Sequence, residues 1–160
     1  MSTAWVTGWR VGLTAIARRT RDVLMAHPWS LTSLNDAQFG PNGMRHFEQS
    51  LAAVASTGLG VAARFELLAV VDNYVSGNVL HAVESLARAR VAEADPGMVA
   101  AAVAYGVAQL ETGEFPQLSA IYAEAAEAAG PPMTEDALTE QFERGLAALL
   151  DGLAGRMNIR

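Results

Sequence analysis

Apolar positions recur three and four apart along most of the chain, the period of helices that bury one face. Trp5, Trp9, Leu13, Ile16, Thr20 and Leu24 mark the first such stripe, over residues 4 to 26. His27-Pro28 stops it, because proline disfavours helical backbone in the residue before it. From Trp29 to Gly40 the pattern is irregular and polar, and a loop with one short turn is predicted. Pro41-Asn42-Gly43 opens a second helix with Met44, Phe47, Leu51 and Val54 on one side, closed at Gly58. The longest segment runs from Val61 to Ala94. There Phe65, Leu68, Val75, Val79 and Leu86 share one side, and Leu67, Val70 and Tyr74 widen the stripe. A helix apolar around so much of its girth is predicted to be central or to lie in an interface. Gly77 inside it is less favourable than alanine by about 1 kcal/mol, which calls for close helix packing or a ligand's approach in compensation.

Asp95-Pro96 reads as an N-cap and first-turn proline of a helix over residues 97–111, rich in alanine and valine. Gly113 ends it, and Pro116 begins a segment with Leu118, Ile121 and Tyr122 that stops at Gly130-Pro131-Pro132. Thr134, Glu135 and Asp136 start the final helix, where acidic residues suit the macrodipole. On that helix Leu138, Phe142, Leu146, Leu149, Leu150 and Leu153 fall within an arc of about 140°. Beside them runs a row of mostly small residues, Ala137, Gln141, Gly145, Ala148 and Gly152. The bulky stripe is expected to fill the domain's own core, and the small row to admit another backbone, with an identical helix as the natural candidate. No strand alternation and no internal repeat interrupts the pattern. A single all-α domain over residues 1–160 is predicted.

Composition narrows the function more than the fold. Of 160 residues 51% are hydrophobic, with mean hydropathy +0.19, yet no run approaches the length of a membrane span. The N-terminus lacks the basic and apolar regions of a secretory signal. The absence of cysteine excludes disulfides and thiolate chemistry and fits a reducing, cytoplasmic setting. With net charge −6 and only Arg18, Arg19 and Arg21 clustered, direct nucleic-acid binding by this chain is not expected.

No zinc-protease, di-iron, phosphate-loop, dinucleotide or nucleophile-elbow motif is present. Of the histidines, His27 reads as a helix-end cap and His46 as an exposed group on a polar side. His81 sits one turn after Gly77, with Asn78 and Glu84 at helical neighbour positions. It is a candidate for a polar contact to a small ligand; a His-x-x-Glu pair alone makes no metal site, and no metal or cofactor is expected. Trp5, Trp9, Met25, Met44, Phe47, Phe65, Met98, Phe115 and Tyr122 serve either as core or as the lining of an apolar cavity. Asp72 falls close to the face of Phe65 and Leu68, as a buried polar contact or as an orienting group for a ligand.

Several stretches together resemble the C-terminal regulatory domain of TetR-type transcriptional repressors. They are the Trp-rich opening ending in Ala-His-Pro-Trp, then Phe-Gly-Pro-Asn-Gly-Met-Arg-His-Phe-Glu-Gln-Ser-Leu and Thr-Gly-Leu, then Asn-Tyr-Val-Ser-Gly-Asn-Val, then Phe-Glu-Arg-Gly-Leu-Ala-Ala-Leu-Leu-Asp-Gly-Leu. Each is weak alone; their order and spacing over nearly the whole chain carry the resemblance. It implies a homodimer built on a four-helix bundle, from the later part of the long helix and the final helix. The expected interface residues are Phe142, Gly145, Leu146, Leu149, Gly152 and Leu153. It also implies an effector cavity that sets the separation of two DNA-binding heads. Those heads are N-terminal helix-turn-helix domains; this chain has none and begins about where the family's linker helix would emerge, so a fragment is expected. Carried over by the His-Pro and Ser-Gly-Asn-Val anchors, Trp5 and Trp9 face the ligand from the first helix. Phe47, Leu51, Leu68 and Asp72 fall on two walls, Leu118 and Tyr122 on a closing helix, with His81 beside them. Where tetracycline-binding members place a His and a Glu around a magnesium–drug complex, this chain has Val23 and His81. The resemblance therefore implies another apolar or aromatic effector.

Two other readings compete with an effector-sensing repressor domain. A small all-α enzyme would need Asp72, Tyr74 and His81 to share one pocket. A stand-alone dimerisation module would have a filled core and no ligand.

Overall fold

The computed structural model describes residues 8–33, 40–128 and 134–159. Helix α1 spans Gly8–Ala26, α2 Pro41–Val54, α3 Val61–Ala94, α4 Pro96–Glu111, α5 Pro116–Ala128 and α6 Glu135–Met157, with no strand among the described residues. Several expected breaks carry the expected chemistry, and the one at Gly130-Pro131-Pro132 lies outside the described residues. A short 3-10 turn, Pro28–Ser33, follows the His27-Pro28 stop. Gly58, at φ 72°, closes a further 3-10 turn after α2, and Gly113, at φ 76°, lies between α4 and α5. The Asp95 side chain accepts from the Met98 N–H at 2.9 Å, with Pro96 in the first turn of α4.

The chain divides into two compact units, Met1–Val83 with Asp136–Arg160, and Glu84–Glu135. In the first, α1, α2, α3 as far as Val83, and α6 surround one apolar core. Leu13, Leu67, Val75, Phe142 and Leu146 are each about 1% exposed or less. The buried α1 positions Trp9, Leu13, Ala17 and Leu24 follow the predicted stripe, as do Leu138, Phe142, Leu146, Leu150 and Leu153 on α6. Helices α1 and α2 approach closely at Gly12, where a Cβ would meet the Ala53 Cβ at 2.9 Å.

Polar ties set the register of α1 on α6. Arg10 pairs with Asp151 at 2.7 Å, Arg18 grips Glu143 through two hydrogen bonds of 2.7 Å, and Arg21 donates to Thr139 at 3.1 Å. Numbers rise along α1 as they fall along α6, so the helices run antiparallel. Arg21, only 7% exposed, also lays its guanidinium over the Phe142 ring at 5.2 Å.

The second unit contains the end of α3, α4 and α5. None of its described apolar side chains reaches full burial, and α4 has no buried residue.

Candidate functional site

The first candidate lies where α2 faces α3. Phe47 and Phe65 stack with ring centroids 5.8 Å apart and planes 27° from parallel, yet they remain 44% and 47% exposed. A buried pair of this kind contributes about 0.5–1.5 kcal/mol beyond its area; here much of both faces is left uncovered. Asp72 lies seven residues beyond Phe65, about 20° away around the helix and about 10 Å along it. Between them on that line stands exposed Ala69, while Leu68 turns into the core and Leu51 of α2 is half-buried. No hydrogen bond or ion pair engages the Asp72 carboxyl among the described residues. Loss of surrounding water raises its pKa, and charge on nearby His46 pulls it back down. The result is two accessible aromatic rings, a small floor and an unengaged carboxyl on one wall.

A second feature lies within the Glu84–Glu135 unit. The end of α3, α4 and α5 form an open, mostly apolar groove of about 1020 Å³. Val91, Met98, Val103, Phe115, Leu118 and Tyr122 line it, with Arg88 and Gln109 as its principal polar members.

Comparison with known proteins gives the family of the domain. Residues 6–157 match the family of tetracyclin-repressor-like C-terminal domains. The chain belongs to that family. It is also 28% identical over 151 residues to the helix-turn-helix-type transcriptional repressor DrrR1 of Streptomyces coeruleorubidus. That alignment covers 91% of this chain and 52% of the relative, so the chain spans about half the relative's length.

Within this tetracyclin-repressor-like domain the expected ligand residues are divided between the two units. Phe47, Leu51, Leu68 and Asp72 lie along the α2–α3 wall, though Leu68, 5% exposed, is committed to the core. Trp9 is likewise a core side chain at 6% exposure, its ring flanked by the Arg10 guanidinium at 5.5 Å. Trp5 lies outside the described residues. Leu118 and Tyr122 belong to the groove of the second unit.

His81 is exposed, and nine residues place it about 180° around α3 from Asp72. Tyr74 turns elsewhere again: its ring stacks on Phe142 at 5.6 Å and its hydroxyl donates to the Phe142 carbonyl at 2.9 Å. The trio required by an enzyme is therefore not assembled. Glu84 pairs with Arg88 at 3.7 Å, and no three potential metal ligands cluster among the described residues.

Three of the six expected interface residues on α6 prove to be core. Phe142, Leu146 and Leu153 are 1%, 1% and 8% exposed within the protomer, which leaves them almost no surface for a second copy. Helical periodicity identifies a bulky face but not what covers it. Gly145 serves a contact inside the chain, because a Cβ there would collide with the Tyr74 hydroxyl. Leu149 is half-buried and Gly152 exposed, so these two retain accessible surface. Among the described residues nothing lies within 4 Å of the Gly77 Cβ position, so none of them packs against it there.

Two site residues carried weaker sequence signals. His46, expected on an exposed polar side, is half-buried and electrostatically coupled to Asp72. Phe65 was a candidate for core or cavity lining on the same face as Asp72, and its stacking on Phe47 is what the sequence did not show. His27 presents its ring edge to Trp29 at 6.3 Å.

Proposed function

We propose that this chain is the effector-sensing and dimerisation domain of a transcriptional repressor, acting on DNA through an N-terminal helix-turn-helix head. The observation that carries the sensing role is the α2–α3 wall, where Phe47 and Phe65 keep much of their ring surface uncovered beside Asp72. Aromatic side chains with a few polar groups are how small-molecule sites combine affinity with orientation. The effector is a small apolar or aromatic molecule, and the protein acts in the cytoplasm, where a cysteine-free regulator needs no oxidising environment.

The homodimer would use what remains accessible on α6, Ala148, Leu149 and Gly152, with the Gly77 region of α3. Tyr74 over Gly145 joins the two helices, so these small-residue rows continue from a shared contact. The apolar groove of the second unit is further surface for a partner protomer to cover. The effector must bind one separation of the two heads more tightly than the other, since equal affinity for both would shift nothing.

Thermal melting against apolar and drug-like compounds tests this reading. A ligand that binds the native state raises the melting temperature, and Phe47→Ala is expected to diminish that rise. A chain that no compound stabilises would instead fit a dimerisation module with a filled core.

A further inference from the structure

We infer that the α2–α3 wall selects aromatic cations: Phe47 and Phe65 take the ring system and Asp72, about two helical turns along, takes the positive group. This rests on the effector-sensing reading and narrows it to one class of ligand. The wall has a direction. Its aromatic end comes from both helices, Ala69 leaves the middle shallow, and the carboxyl stands at the far end of the same α3 face. The separation of about 10 Å suits a flat fused-ring ligand that carries its charge at one end or edge.

Three properties favour a cation over a neutral or anionic ligand. Aromatic faces carry negative quadrupole, so both rings attract a cationic ring system more than an anionic one. The Asp72 carboxyl is exposed and has no hydrogen-bond or ion-pair partner among the described residues, so it can receive a positive group without giving up an existing contact. The protein's net charge of −6 adds a long-range attraction in the same direction.

Fluorescence titration of the full chain with two fused tricyclic probes tests the inference: 9-aminoacridine, a cation, and acridone, which is neutral. The parent is expected to bind 9-aminoacridine at least tenfold more tightly. Asp72→Asn should remove that preference while leaving acridone binding unchanged. Asp22→Asn deletes the same charge from an exposed position on α1 and should keep the preference, and Phe47→Ala should weaken both probes. Circular dichroism of each variant checks that it is folded.

Equal affinity of the parent for the two probes would overturn the cation inference, as would a preference that survives Asp72→Asn or disappears in Asp22→Asn. If acridone binds as well as 9-aminoacridine and Phe47→Ala abolishes both, the effector site stands without its charge selectivity. If neither probe binds and no compound raises the melting temperature, the effector reading falls with it.

Discussion

Asp72 is held at some expense to the free protein. Its carboxyl loses water without gaining a hydrogen bond, so its folded pKa lies above the ordinary aspartate value. A raised carboxylate pKa favours the folded state while the group is protonated, and that advantage disappears as pH rises through the folded value. Asp72→Asn is therefore expected to melt higher than the parent at neutral pH, with the difference shrinking under acid; pH-dependent melting checks this. Gly145 makes a different demand. Gly145→Ala should destabilise the protomer by about 1–3 kcal/mol, the range for overpacking, because the new methyl group meets the Tyr74 ring end. In urea titrations, coupling between Gly145→Ala and Tyr74→Ala should appear as strong non-additivity.

At the scale of elements, α1 on α6 is held by a ladder whose members lie far apart in sequence. Arg18 lowers the Glu143 pKa through its hydrogen bonds and charge. A depressed carboxylate stabilises the fold above its ordinary range, and that contribution is lost as pH falls through the depressed value. The pair is partly exposed, so Glu143→Gln should cost at most about 1 kcal/mol at neutral pH, with the deficit fading in acid. The contact of α1 with α2 is less tolerant. Gly12→Ala would press a Cβ to 2.9 Å from that of Ala53, which has no flexible end to move aside, and a loss of about 1–3 kcal/mol in chemical denaturation is expected.

Helix boundaries were readable because proline, glycine and Asp95 act locally: Val61–Ala94 and the Asp95 cap needed only neighbouring residues. The partners of each face were not. The bulky stripe with Phe142 and Leu146 was expected to fill the core from its pattern and to form an interface from the resemblance, and their burial agrees with the pattern. The Arg18–Glu143 pair and the His46–Asp72 coupling join positions with no sequence periodicity between them. Trp9 shows the same limit, since tryptophan suits a ligand wall and a core equally well.

At the scale of the molecule, the first unit closes around an apolar core, while many described apolar side chains on α4 and α5 stay exposed. In the proposed function, communication between effector and DNA requires two protomers whose separation can change. Gly152 offers a clean probe of that assembly: it is exposed, and nothing lies within 4 Å of its Cβ position, so a larger side chain should leave the protomer intact. Sedimentation equilibrium of the parent and Gly152→Leu at micromolar concentration, with circular dichroism as the folding control, is the most direct test of a dimeric sensing domain. The parent should be a dimer and Gly152→Leu should dissociate at markedly lower dilution while keeping its helix content. A parent that remains monomeric throughout that range would contradict a mechanism built on two coupled protomers.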